Sequence, residues 1–463
     1  MKLVKSLLLA TAGGLVAVSG ASAADLGGIR KPAPAEYVRV CNAYGAGFFY
    51  IPGTQTCLRI SGRARFEGQY QTRFNRDDTS TGYRAIGRIA LDARTQSEYG
   101  PVRAFVRVDT AYRTGVLGSG SATRYYNASN NNNTAAGNGM TTQLYPELES
   151  AFVQFAGITA GKLASFFDFN AATADAWIGI GGSGTFTPIQ LAYTATFGSG
   201  FSATLAIEDP SSRRNTTAYF SGAGPTVWGY GGGNVPDVVA ALRVDQGWGS
   251  AQLSGLLHQV NYAAYNTVLG GGLAGTGAAP SSDYGFAIQG GVNFKLPMLA
   301  PGDQIMLTGT YSKGAVNTVI GVDCGYGSIN QCAFGNAGSF TSRLAYTDGV
   351  VTGFGSTKLT TAYGITASLR HYWAPTIRQS FWGSYTKVDY AASTGFADTT
   401  LWRVGSNIVW SPIKDLEMGP EVMYTNIRGG NGYATNGVAK GDPIFGKGTE
   451  DLWQFRFRVQ RDF

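Results

Sequence analysis

From Leu58 to Phe74 the chain alternates without a break. Leu58, Ile60, Ala64, Phe66, Tyr70 and Phe74 share one phase; Arg59, Arg63, Arg65, Glu67, Gln69 and Arg73 share the other. A period of two is what a β-strand needs to separate an apolar face from a polar one. No soluble sheet needs so long an unbroken run, whereas a tilted membrane strand needs about 9–11 residues for the hydrocarbon alone. The next stretch repeats the pattern, with Gly87, Ile89, Leu91 and Ala93 against Arg84, Arg88, Asp92 and Arg94. After a turn at Glu98 to Pro101, Ala104, Val106 and Val108 oppose Arg103, Arg107 and Asp109. The last residues follow suit: Trp453, Phe455, Phe457 and Val459 alternate with Gln454, Arg456, Arg458 and Gln460 before Phe463.

Between these ends the same rhythm predicts strands near 146–155, 159–164, 189–197, 201–208, 238–245, 250–259, 284–295, 304–312, 358–373, 378–388, 400–410 and 416–426, sixteen in all. Short Gly- and Pro-marked turns alternate with long connections at 114–145, 165–187, 209–236, 260–283, 313–357, 389–399 and 427–450. The link at 75–82 is the short exception on the long side. An even strand count with connections sorted by length predicts an all-β transmembrane antiparallel barrel, with short periplasmic turns and long extracellular loops. A barrel of about sixteen strands leaves a water-filled channel, where a barrel of eight fills with side chains.

Composition agrees. Charged residues are only 14% of the chain, against about 25% in soluble domains, and there are 66 Gly, 25 Tyr and 25 Phe. No stretch resembles a membrane helix of about 20 apolar residues. Lys2 and Lys5, the apolar run Leu7 to Val18 and Ala21-Ser22-Ala23 read as a secretory signal over residues 1–23. Residues 24–56 then read as a periplasmic leader and Cys-closed hairpin, and 57–463 as the barrel. Removing the two signal lysines takes the net charge from +7 to +5, too mild a balance to argue for nucleic acid. The expected partners are outer-membrane lipid and small hydrophilic solutes and ions.

Four cysteines behind a signal suggest disulfides. Three pairings are open. The local ones, Cys41–Cys57 and Cys324–Cys332, close the shortest loops. His258 and His371 stand far from both pairs and from each other in sequence, which speaks against a metal or Ser–His–Asp site. Gly179, Gly181 and Gly184 fit a dinucleotide fingerprint but lack a βαβ unit, and Gly441 to Lys447 approaches a P-loop but precedes a strand. No cofactor and no enzymatic activity is expected.

The polar faces of the first three strands predict a cationic wall. Arg63, Arg65, Arg88, Arg94, Arg103 and Arg107 share it, and Arg456 and Arg458 join it if the last strand pairs with the first. Facing lipid near the midplane, each would cost roughly 2–4 kcal/mol, so they are expected to face water or partners. The loop at 165–187 carries Phe166, Phe167, Phe169, Trp177 and Ile178 together with Asp168 and Asp175. Such an apolar loop needs a surface to bury. Folding into the lumen would supply one and would set Asp168 and Asp175 opposite the arginines, across a constriction of the kind that selects ions. Packing over a subunit interface is the other reading.

The run CNAYGAGFFYIPGTQTCLRISG at 41–62, SFFDF at 165–169 and the terminal aromatic strand resemble the alphaproteobacterial porin family. The resemblance spans the chain beyond the signal in layout and is strongest at 36–68. Arg461 departs from the apolar residue expected two places before the terminal aromatic. The resemblance implies a sixteen-stranded homotrimeric outer-membrane general diffusion porin whose third loop narrows the pore. A solute-specific channel is the alternative, with a barrel enzyme or adhesin further off.

Overall fold

The computed structural model describes residues 39–72, 80–117, 143–169, 175–179, 186–214, 216–221, 224–228, 230–262, 268–269, 272–273, 280–320, 347–352, 356–390, 398–429 and 449–463. The barrel strands are β1 (Cys57–Gln71), β2 (Thr81–Ser97), β3 (Gly100–Arg113), β4 (Gln143–Phe155), β5 (Ile158–Lys162), β6 (Ile189–Gly198), β7 (Phe201–Glu208) and β8 (Asp237–Gln246). They continue with β9 (Gly249–Val260), β10 (Asp283–Lys295), β11 (Gln304–Lys313), β12 (Thr361–Ala374), β13 (Ile377–Asp389), β14 (Thr399–Ile413), β15 (Leu416–Gly429) and β16 (Thr449–Asp462). Each pairs antiparallel with its sequence neighbour, and β16 pairs back onto β1 from Arg63↔Asp462 to Gln71↔Gln454. The sheet therefore closes without an edge, the arrangement that satisfies every ladder group inside a bilayer.

The outward phase of each strand is apolar and exposed, as at Ile60, Phe66, Tyr70, Ile89, Leu91, Leu205, Leu253, Ile288 and Phe457. The inward phase carries the charges. The arginine-rich phases of β1, β2, β3 and β16 all point into the barrel. Tight turns join the strands at one end. At Ser199 and Gly200, φ is 49° and 81°, the left-handed pair that matches the twist of a two-residue hairpin. A side chain at Gly200 would also run into the carbonyl of Asp245.

Three predicted loops hold additional strands: 260–283 has the short antiparallel pair Val268–Leu269 and Gly272–Leu273, and 209–236 and 313–357 share a sheet. Thr216–Ser221 pairs antiparallel with Gly224–Trp228 and parallel with Thr347–Thr352, which pairs with Ser356–Leu359. This four-stranded sheet joins two long connections at the loop end of the barrel. It also corrects the strand expected at 358–373. The Ser356–Leu359 segment belongs to this outer sheet, and β12 begins only at Thr361. Alternation runs through the join, so periodicity alone could not place the break.

At the turn end, residues 39–56 fold back on β1. The two-residue strand Phe49–Tyr50 pairs with Cys57 and Leu58, and a disulfide links Cys41 to Cys57. Cys324 and Cys332 lie outside the described residues, as do Arg73 and the signal segment.

Candidate functional site: the channel lumen

The loop between β5 and β6 enters the barrel. Small and apolar lumen-facing residues prepare a bed for it. Phe167 is fully buried against Ala192, Ala206, Val239, Leu256 and Ala287, which come from β6 to β10. Its carbonyl accepts from Ser254 Oγ at 2.6 Å, and the Phe169 amide donates to Gln289 Oε1 at 2.6 Å. Gly291 on β10 leaves room for the Phe169 ring, which a Cβ there would strike. Farther along, Trp177 and Ile178 reach β15, where both amides donate to the Glu421 carboxylate at 2.8 and 2.6 Å. Ile178 packs on Trp382 and Met423. The described parts of the loop thus lie along the lumen side of β6 to β16 and leave Arg63, Arg65, Arg88, Arg94, Arg103 and Arg107 of β1 to β3 half-buried in the lumen.

This path decides where the predicted acids fall. Asp168 is buried; its Oδ2 accepts the Phe186 amide at 2.8 Å. Burial pushes its pKa up to about 7, opposed by the Arg213 charge and that amide bond. Asp175 accepts both edges of Arg370, with Nε at 3.0 Å, and lies 3.7 Å from Arg378. Neither carboxylate faces the arginines of β1 to β3, contrary to the expectation of a field between them. The loop tip reaches β12 and β13 first, and their arginines take Asp175.

The arginine wall itself is mostly paired. Arg63 binds Asp462 at 2.6 Å and Arg88 binds Asp109 at 2.6 Å. Arg94 and Arg103 share Asp92 at 2.8 and 3.0 Å. Arg107 pairs with Glu149, and Arg84 with the fully buried Glu67. Arg456 and Arg458 also face the lumen, but the inserted loop covers them. Arg456 donates to the Trp177 carbonyl, Arg458 donates to Glu67 at 2.7 Å, and its guanidinium lies 4.5 Å from the Trp177 ring centroid. They hold the loop rather than line the open channel. Near the turn end, Phe48 receives Arg59 and Arg94 at 5.1 and 5.0 Å, so the Cys-closed segment covers the start of the wall. Arginines still outnumber carboxylates from β16 to β4.

Both histidines are held in place by acids. His258 Nδ1 lies 2.7 Å from Asp237 with Nε2 at 3.0 Å from the Tyr230 hydroxyl, and His371 Nδ1 lies 2.6 Å from Asp303. His258 is fully buried and has no serine partner among the described residues. Among the described residues no group of acids, histidines and cysteines could hold a metal.

Glu421, Gln289, Arg370, Arg378 and Arg403 were missed as site residues. The last donates to the Gly179 carbonyl at 2.6 Å. Strand alternation could have put all of them on the inner face; which ones meet the loop depends on its course.

A closed sixteen-stranded sheet, an apolar outer belt, a charged interior and a loop folded through it define an outer-membrane β-barrel channel. A family model described as the porin subfamily matches residues 29–454, and the chain belongs to that family. It is 34% identical over 251 residues to porin Omp2b of Brucella suis biovar 1 (strain 1330) and of Brucella abortus (strain 2308). The match covers 53% of this chain and 64% of each relative, so the chain spans less than two thirds of their length. The outer membrane channel DcaP of Acinetobacter baumannii superposes with a TM-score of 0.56 over 89% of this chain and 99% of that one. At 14% identity, this is a likeness of fold. The family and fold make the chain an outer-membrane β-barrel.

Proposed function

We propose that the chain forms a water-filled pore for passive diffusion of small hydrophilic solutes and ions, with a mild preference for anions and no catalytic activity. The observation that carries this reading is the open lumen wall of β1 to β4, where guanidinium groups outnumber carboxylates while the loop acids are neutralised elsewhere. Fixed charge of one sign in a narrow opening raises the local concentration of the opposite ion. Membership of the porin family supports a homotrimer; chemical crosslinking in detergent, resolving a three-chain species, would test it. Planar-bilayer recording in a salt gradient tests the channel. A current whose reversal potential has the anion-selective sign is expected. No conductance would remove the pore reading, and a cation-selective reversal would remove the preference.

A further inference from the structure

We infer that Arg65 is the centre of an oxyanion site on the channel wall, where a carboxylate or phosphate group of a passing solute takes the place of an acidic partner. The inference rests on the channel reading above and names the solute chemistry it favours.

The register of β1, β2, β3 and β16 stacks the wall in rows. One row runs Asp462, Arg63, Arg88, Asp109, with an acid at each end. Four residues along, another runs Arg458, Glu67, Arg84, Arg113, built around the buried Glu67. Between them lies Gln460, Arg65, Ile86, Ala111. That middle row contains no acid. Arg65 Nε donates to Gln460 Oε1 at 2.8 Å. Among the described residues no carboxylate lies within 4.0 Å of it and no acceptor meets its Nη nitrogens. Those nitrogens are also absent from the buried atoms without partners, so they keep access to water.

The half-buried Arg65 therefore differs from its neighbours. Arg63, Arg88 and Arg107 each have a carboxylate in direct contact. A guanidinium with no carboxylate in direct contact in a partly desolvated wall attracts an anion, and its planar fork matches two oxygens of a carboxylate or phosphate. Arg63, Arg84 and Arg458 surround it against the carboxylates of Glu67 and Asp462, and this excess of positive charge favours an anion over a neutral solute.

The test uses the full-length protein in planar bilayers, with chloride current recorded while inorganic phosphate or succinate replaces chloride at constant ionic strength. The wild-type current is expected to fall to a plateau, the signature of a bound rather than merely excluded anion. In Arg65→Gln the half-effect concentration should rise about tenfold, the loss of one charge-assisted contact. Gln460→Glu should produce the same loss while keeping Arg65, because it supplies the missing carboxylate, and it guards against poor folding of the first variant. A plateau with either anion whose half-effect concentration both variants raise supports the site; which anion produces it names the source. No plateau with either anion, or one that the variants leave unchanged, overturns it while the channel reading stands. Absence of chloride current altogether overturns the channel reading and this inference with it.

Discussion

Trp177 lies beneath Arg458, with the guanidinium carbon 4.5 Å from the ring centroid. The pair joins the tip of the inserted loop to the last strand of the barrel. Glu421 completes the seat by accepting the Trp177 and Ile178 amides. Glu421→Ala should leave two buried donors unpaired, a loss of about 1–3 kcal/mol each, and free the tip from the wall. Single-channel conductance and current noise should both change, because the tip no longer holds one position. Glu421→Gln, which keeps an acceptor, should fall between. Identical recordings from all three would place the loop's anchorage elsewhere.

Asp168 gives the loop a pH dependence. Its carboxyl has a pKa raised by burial from 3.8 to about 7. The folded loop retains a proton that the unfolded chain has lost between those values. Stability of the seated loop therefore falls as pH rises from about 4 to about 7, and is greatest below that window. Thermal unfolding or current noise followed from pH 4 to 8 should show this trend, and Asp168→Asn should flatten it. A trend of the opposite sign would mean that the Arg213 charge outweighs burial.

Arg107 and Glu149 offer a test of sign from one pair. Arg107→Ala leaves Glu149 alone on the wall and should move the reversal potential toward cations. Glu149→Gln leaves Arg107 alone and should move it toward anions. Each shift corresponds to a permeability ratio changed about two- to fivefold, the worth of one partly solvated charge. Shifts in the same direction would place the pair off the conduction path.

The Cys41–Cys57 bond closes a span of 16 residues. In the chain-entropy account a loop of that length is worth about 3 kcal/mol. Reductant, or Cys41→Ser with Cys57→Ser, should speed proteolysis within residues 39–56. The barrel's heat-dependent gel migration should stay unchanged, since β1 keeps its ladders to β2 and β16. Equal resistance with and without reductant would show that Phe48 and its two arginines hold the segment unaided.

Barrel strands were legible because lipid on one side and water on the other impose period two on every strand. Ile89 and Arg88 had to fall on opposite faces wherever the strand ended. The join at Leu359 to Thr361 was not legible, because the outer sheet and β12 share the same alternation. Asp175 was legible as part of a loop that turns inward, since its aromatic neighbours needed cover. Its partner was not. Which arginine meets an acid depends on how far the loop travels, and that is set by the Ala-lined bed under Phe167 and by Gly291, positions with no charge to mark them. Arg65 had the reverse history. Its presence on the wall could be read at once, but its lack of an acid appears only when the register puts Gln460 and Ile86 beside it.

The pairing of Arg63 with Asp462 spans 399 residues. Contacts so distant in sequence are slow to form, because loop-closure entropy must be overcome first. β1 cannot acquire its second neighbour until β16 has been made and delivered. Until that moment both strands present bare hydrogen-bonding edges, which invite pairing with other chains. Closure is thus expected as a late step of assembly, and the interval before it is when the nascent barrel most needs to be kept apart from its copies.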